Sequence, residues 1–160
     1  MKQNWWFYIA FPILLLALGF GSSFLSNSGN NNEWYKKLKK APWTPPGWFF
    51  SVIWSILYVL IGVTLARTIV EKHYQTDMDK VQLGVLVATI AIVLIWPFVY
   101  FLGKSQPGGI ALIILVVLLG LGYCIMTGMD KRFIEMGCTL PLVAWGGFAT
   151  TLALYPVAIK

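Results

Sequence analysis

Five long apolar stretches constrain the fold of this chain more than any other feature. They cover residues 5–25, 48–66, 81–102, 108–129 and 133–159. Each has about the 20 residues that an α-helix needs to cross roughly 30 Å of hydrocarbon. Strands of a membrane β-barrel would instead be about 10 residues long with strict alternation, a pattern that these stretches lack. The sequence therefore predicts an all-α integral membrane protein, a bundle of five transmembrane helices forming one domain over residues 1–160.

The overall composition agrees with this class. Apolar residues make up 58% of the chain and charged residues only 11%, whereas soluble domains carry about 25% charged residues. Lys2 followed by an apolar stretch also fits a signal peptide, but the stretch is longer than a typical signal core, and Trp5 and Trp6 resemble interfacial anchors. We therefore expect a multi-pass protein with a long first loop, residues 26–47 (loop one), and a second loop at 67–80 (loop two).

The charges do not orient the bundle. Five spans place the termini on opposite sides, and six Lys or Arg residues fall on each side, so the positive-inside rule gives no answer. The net charge of +6 suits an anionic lipid surface. Nucleic-acid binding is a poor alternative, because the basic residues flank the spans and do not form one soluble face.

Residues for catalysis or metal binding are sparse. Every acidic residue lies in a loop or near a span end, which argues against an ion pump. His73 is the only histidine, so neither a Ser-His-Asp triad nor a His-rich metal site is expected. Cys124 and Cys138 are better explained as buried thiols than as a disulfide or metal site. We predict no catalytic residue, no metal site and no obligatory cofactor.

Aromatic residues are the remaining candidates inside the membrane. They form one face on each of three spans, and small residues adjoin the third face. Helix packing and lipid contact would explain any single tryptophan, but three such faces together favour an apolar pocket for a large, flat ligand. The faces are Phe50, Trp54 and Tyr58; Trp96 and Tyr100; and Trp145, Ala149 and Leu152.

The end of loop one is rich in tryptophan, proline and lysine. Residues 34–48 read WYKKLKKAPWTPPGW, and prolines stiffen the chain while tryptophans and lysines suit the membrane interface. A basic linker beside the membrane would use the same residue types. The spacing of this run, with Trp54, Leu57-Tyr58, Trp96-Pro97, Phe101, Pro141, Trp145 and Phe148–Thr150 further along, resembles the TspO/MBR family of translocator and tryptophan-rich sensory proteins, or peripheral-type benzodiazepine receptors.

The resemblance implies a five-helix bundle, often a homodimer, that binds tetrapyrroles such as protoporphyrin and synthetic benzodiazepine-type ligands, with loop one as a lid. Val93 stands where many members have Asn, which removes a polar contact to the synthetic ligands. Carried over by motif, the ligand-binding residues are Tyr35, Pro45, Trp54, Tyr58, Trp96, Trp145, Ala149 and Leu152, with Ser23 at the end of the first span.

We therefore expect a membrane-embedded protein that binds porphyrins of the protoporphyrin or haem type and acts as a sensor, carrier or regulator. The ligand carboxylates would extend toward the loop-one lysines. Three alternatives stay open. One is an enzyme that degrades bound porphyrin, with Trp54 and Trp145 beside the ring. The others are a structural or partner-binding membrane protein and a carrier of sterol or lipid.

Overall fold

The computed structural model describes residues 4–159, and six α-helices lie within them. Five are long and apolar enough to cross a membrane, so the predicted all-α class and five-span count are confirmed. The helices are α1 (Phe7–Leu25), α2 (Glu33–Lys36), α3 (Gly47–Val70), α4 (Asp77–Pro97), α5 (Gln106–Met129) and α6 (Phe133–Ala158), and a π-helical turn, Phe98–Leu102, extends α4.

The five long helices pack around a shared core. Going around the bundle, α1 packs on α3, α3 on α6, α6 on α5, α5 on α4, and α4 returns to α1. The buried core takes residues from all five helices. This arrangement brings the aromatic face of α3 to the centre of the bundle. The core residues are Leu15, Leu57, Tyr58, Ile61, Leu86, Val93, Val116, Tyr123, Leu142 and Trp145.

Two glycines allow α1 and α3 to approach closely. A Cβ atom on Gly62 would lie 2.5 Å from the backbone of Pro12. A Cβ atom on Gly19 would overlap the ring of Tyr58. Because a side chain at position 62 would meet backbone, Gly62 sets how closely α1 and α3 approach, whereas Gly19 leaves room for the Tyr58 ring.

Two buried threonines satisfy their hydroxyl groups within their own helices. Thr64 donates to the carbonyl of Leu60 at 3.0 Å, and Thr89 donates to that of Val85 at 2.7 Å. Such bonds to the carbonyl four residues earlier leave neither of these hydroxyls unpaired in the apolar interior. These threonines therefore pack as small residues inside the bundle.

Loop two is shorter than the sequence predicts. Helix α3 continues beyond residue 66 to Val70, and α4 begins at Asp77. Thr76 and Asp79 form a reciprocal capping box, so the acidic residues assigned to the loop begin a helix. Charged residues predict where the apolar spans end, whereas a well-capped helix extends past the hydrocarbon. Lys2 and Lys160, which entered the charge count, lie outside the described residues.

Candidate functional site

An interhelical cavity of about 560 Å³ lies between the helices beneath loop one. This volume is within the range of about 300–1,000 Å³ typical of small-molecule sites. All nine residues predicted as ligand contacts line it: Ser23, Tyr35, Pro45, Trp54, Tyr58, Trp96, Trp145, Ala149 and Leu152. The fold thus brings together residues from five separate segments, while their role in binding a ligand stays a prediction.

The aromatic face of α3 forms one wall of the cavity. Trp54 and Tyr58 pack against each other with ring centroids 5.7 Å apart. On the same helix, Phe50 contacts Trp145 of the neighbouring helix α6 edge to face at 5.5 Å. Trp54 and Trp145 therefore face one common cavity, as their helical positions predict. The wall they form is broad, apolar and suited to stacking against a flat ring system.

Trp96 is held in place by its neighbours at the end of α4. Its ring stacks on Tyr100 at 5.1 Å, and its indole Nε1 donates a 2.9 Å hydrogen bond to the carbonyl of Gly109 in α5. Because that donor is already used, Trp96 lines the cavity without offering a ligand an indole hydrogen bond. A fixed aromatic surface is the contribution of this residue.

The π-helical turn follows Pro97 and shapes this wall. The amide of Gly103 donates to the carbonyl of Phe98 at 2.7 Å, five residues back, which is the π-helical pattern. In a regular α-helix the Phe98 amide would donate to the Leu94 carbonyl. Here the Phe98 amide donates to the Ile95 carbonyl, and the Ser22 hydroxyl of α1 donates to the Leu94 carbonyl at 2.6 Å. The irregular backbone is therefore satisfied by α1, as membrane-embedded helices require.

Loop one forms the roof of the cavity and contains the short helix α2. Asn32 caps α2 by accepting the Tyr35 amide at 3.0 Å. The ring of Tyr35 then meets Phe101 edge to face at 5.3 Å. Trp34 meets Tyr100 in the same way at 5.4 Å. Loop one is thus packed onto the π-helical turn, an arrangement that the sequence did not indicate.

Lys40 is the one charged residue among the described residues that line the cavity. Its Nζ lies 4.5 Å from the centre of the Tyr35 ring, at cation–π distance. Lys36, by contrast, pairs with Glu33 at 2.8 Å on the exposed surface. A hydrogen bond from Lys36 lowers the pKa of Glu33, and burial raises the pKa of Tyr35. Tyr35 therefore remains a neutral phenol at physiological pH, and Lys40 gives the mouth a positive charge.

Several residues that line the cavity were not predicted. Asn30 and Gly29 come from the part of loop one that was expected to be a plain flexible stretch. Ile113 of α5 also lines the cavity, although α5 carries no aromatic face. Val93, noted as a departure from the family pattern, is buried and lines the cavity. The positive φ of 93° at Gly29 marks the turn that brings Asn30 in, and the Ser-Gly-Asn sequence is the signal that could have shown it.

Comparison with known proteins assigns the chain to a family of membrane proteins. The TspO/MBR family matches residues 9–157. The translocator protein of Ovis aries is 30% identical over 156 residues, covering 95% of this chain and 89% of the relative. The tryptophan-rich protein TspO of Chlorobaculum tepidum is 28% identical over 145 residues, covering 87% and 86%. Protein CrtK of Rhodobacter capsulatus is 30% identical over 93 residues, 58% of each chain. The chain is therefore a multi-pass membrane protein that belongs to the TspO/MBR family, as its sequence resemblance predicted.

Proposed function

We propose that this protein binds tetrapyrroles of the protoporphyrin or haem type, and other flat apolar molecules, in the interhelical cavity. It would act as a sensor, carrier or regulator of porphyrin handling. The observation that carries the proposal is the cavity itself, about 560 Å³ with tryptophan or tyrosine rings contributed by α3, α4 and α6. A macrocycle with a broad π-face gains apolar burial and stacking against such walls.

The position of Lys40, the one lysine among the described residues that line the cavity, supports an amphipathic ligand. The cavity walls are mainly apolar, whereas Lys40 lies at the loop-one end. A porphyrin has an apolar ring and carboxylate groups at one edge. The ring would enter between the helices while the carboxylates stay near Lys40 and the interface. This orientation leaves no carboxylate buried without a partner, which would be strongly unfavourable.

A titration with a matched tryptophan variant tests the proposal. The full chain would be purified in detergent and titrated with protoporphyrin, following tryptophan quenching and the porphyrin absorption band. Trp54→Ala removes cavity wall, whereas Trp48→Ala, on the same helix, removes a ring that is 66% exposed and does not line the cavity. Loss of roughly 50 Å² of apolar contact predicts about 1–1.5 kcal/mol for Trp54→Ala, or ~5–10-fold weaker binding.

Equal affinity of the wild type and Trp54→Ala would contradict this placement of the ligand. Absence of binding by any porphyrin would favour a structural or partner-binding role. Displacement of porphyrin by a sterol would favour a sterol or lipid carrier.

Porphyrin degradation is a second candidate function, favoured by one observation. Trp54 of α3 and Trp145 of α6 line the same cavity, so both would lie beside a bound ring. Illumination of the complex, followed by absorption spectra, separates the two roles. A new product spectrum that is lost in Trp145→Phe would indicate an enzyme, and an unchanged porphyrin spectrum would indicate a passive binder.

A further inference from the structure

A second group of polar residues lies at the other end of the bundle from loop one. It forms where α3 ends and α6 begins, and it consists of Arg67, Glu71, His73 and Glu135 (the polar end cluster). None of these four residues lines the interhelical cavity. The single histidine of the chain is among them. Because Glu135 is far along the chain from the other three residues, the sequence alone does not indicate this cluster.

Each carboxylate of the cluster has one oxygen toward Arg67 and the other toward His73. For Glu135, Oε2 lies 3.3 Å from Arg67 Nε and Oε1 lies 3.2 Å from His73 Nδ1. For Glu71, Oε1 lies 2.8 Å from Arg67 Nη2 and Oε2 lies 3.8 Å from His73 Nε2. The two oxygens on the imidazole side are therefore not engaged by the guanidinium.

Glu135 is buried without the hydrogen bonds that such a group needs. Its side chain is 1% exposed, and neither oxygen accepts a hydrogen bond of acceptable geometry from the described residues. Arg67 Nε and His73 Nδ1 are likewise buried and without a hydrogen bond there. A buried ionised carboxylate is very unfavourable unless it is fully paired or coordinates a metal. The ion pairs at 3.2 and 3.3 Å meet only part of this requirement.

The spacing of these atoms matches metal coordination. Two ligand atoms at about 2.0–2.1 Å from a tetrahedral Zn²⁺ lie roughly 3.3–3.4 Å apart. His73 Nδ1 and Glu135 Oε1 are 3.2 Å apart, so one ion fits between them with little movement. Ligand atoms of Glu71, His73 and Glu135 all lie within 4.8 Å of one another. The partly exposed Glu71 offers the third ligand atom, and its Oε2 lies 3.8 Å from the other imidazole nitrogen, Nε2.

Arg67 is compatible with an ion at this position. Asp130, Lys131 and Arg132 line the same pocket, so with a neutral imidazole its three carboxylates balance its three cationic side chains, and the argument for an ion is the position of the ligand atoms. Carboxylates that bind metals usually have their free oxygen held by an outer partner, which fixes the orientation of the bound one. Arg67 makes this contact to both glutamates.

We propose that the polar end cluster is a binding site for a divalent transition-metal cation, best suited to Zn²⁺, with ligands from Glu71, His73 and Glu135 and a water as the fourth. A nitrogen and two carboxylate oxygens are ligands that Zn²⁺ accepts. The ion would link the end of α3 to the beginning of α6. The site is independent of the interhelical cavity and of what that cavity binds.

Titration of the full chain with Zn²⁺ tests the proposal. The protein would be purified in detergent without a histidine tag, treated with chelator, and titrated by calorimetry. We expect one Zn²⁺ per chain, a rise in the thermal midpoint that chelator reverses, and affinity at least ~10-fold weaker in His73→Gln. Co²⁺ in place of Zn²⁺ should give the visible absorption of a tetrahedral site, and His73→Gln should remove it.

Two further variants keep the test specific. Glu135→Gln removes the buried ligand and should abolish binding, and His73→Gln serves in its place if Glu135→Gln does not fold. Asp77→Asn removes a fully exposed carboxylate paired with Lys80 outside the cluster and should leave Zn²⁺ affinity unchanged. Absence of Zn²⁺ binding by the wild type at concentrations up to about 100 μM would overturn the proposal. Equal affinity in wild type and His73→Gln would also overturn it.

Discussion

Replacing Asn32 with alanine should detach loop one from the bundle. Asn32 is a buried polar residue of loop one, with 5% of its surface exposed. Its carbonyl oxygen accepts the Tyr35 amide at 3.0 Å, and its amide group donates to the Asn27 carbonyl at 3.0 Å and the Phe101 carbonyl at 3.4 Å. One side chain thus caps α2, closes the preceding turn and joins loop one to the π-helical turn.

The expected loss follows from these three bonds. Removing an Asn cap costs about 1 kcal/mol. Each bond to a backbone carbonyl contributes roughly 0.5–1 kcal/mol, with the longer bond to Phe101 at the low end. The total is about 2 kcal/mol, which corresponds to a ~30-fold larger population of the detached loop. The asparagine next to it, Asn31, is exposed, so Asn31→Ala provides a matched control.

Limited proteolysis and hydrogen exchange measure this population. Trypsin cleaves after lysine, and loop one has four lysines between residues 36 and 40. When opening is fast compared with cleavage, the cleavage rate follows the population of the open form. We expect Asn32→Ala to be cleaved ~30-fold faster than the wild type and Asn31→Ala to be cleaved at the wild-type rate. Exchange of the α2 amides should accelerate in parallel.

Two outcomes would refute this reasoning. If Asn32→Ala and Asn31→Ala behave alike, the hydrogen bonds of Asn32 do not hold the loop. If Asn32→Ala lowers the thermal midpoint of the whole bundle by the full equivalent of 2 kcal/mol, loop one unfolds only together with the helices. It would then not be a separate roof.

Three further predictions concern helix packing, the cavity mouth and the lid. Gly62→Ala should destabilise the bundle by about 1–3 kcal/mol, because its Cβ would overlap the backbone of α1; Gly84→Ala, with open space at its Cβ, should not lower the thermal midpoint in the same detergent. Lys40→Gln should weaken porphyrin binding less than ~5-fold and reduce its salt dependence, because one half-solvated ion pair contributes under about 1 kcal/mol; a loss larger than that of Trp54→Ala in parallel titrations would contradict this. Saturating porphyrin should slow hydrogen exchange in the first part of loop one and leave the amides flanking Pro45 unchanged, since prolines already order that end; unchanged exchange throughout would mean that loop one is a static linker.

The bundle could be predicted from the sequence because its causes are local. Twenty consecutive apolar residues specify a membrane-spanning helix wherever they occur, so five such stretches gave the class and the span count. The bounds were less accurate where charge and helix overlap. Asp77 and Asp79 suggested a loop by their charge, yet acidic residues are favourable in the first turn of a helix. Hydrophobicity indicates which residues lie in the hydrocarbon, whereas capping residues indicate where each helix begins and ends.

The cavity walls were predictable for a similar reason, and the roof was not. Trp54 and Tyr58 are four residues apart, so helical periodicity places them on one side of α3 without any tertiary information. The contacts of loop one are long-range, as in the bond from Asn32 to Phe101, which are 69 residues apart in the chain. The Asn-rich stretch looks flexible by composition, but one of its asparagines is buried and bonded at both ends of its amide. Composition describes the average residue of a segment. How loop one packs on the bundle depends instead on one buried side chain, Asn32, which caps α2.

The same distinction separates the two ends of the bundle. At the loop-one end, the ring-bearing residues occur in recognisable runs, and the residues predicted from motif resemblance line the cavity. At the other end, Glu71 and His73 were assigned to a charged loop, and Glu135 was placed near the start of the last span. Only the packing of α3 against α6 brings Glu135 within 3.2 Å of His73. A count of one histidine predicts few metal ligands, whereas the fold places one imidazole nitrogen and two carboxylates within 4.8 Å of one another, which is the ligand set that the proposed site requires.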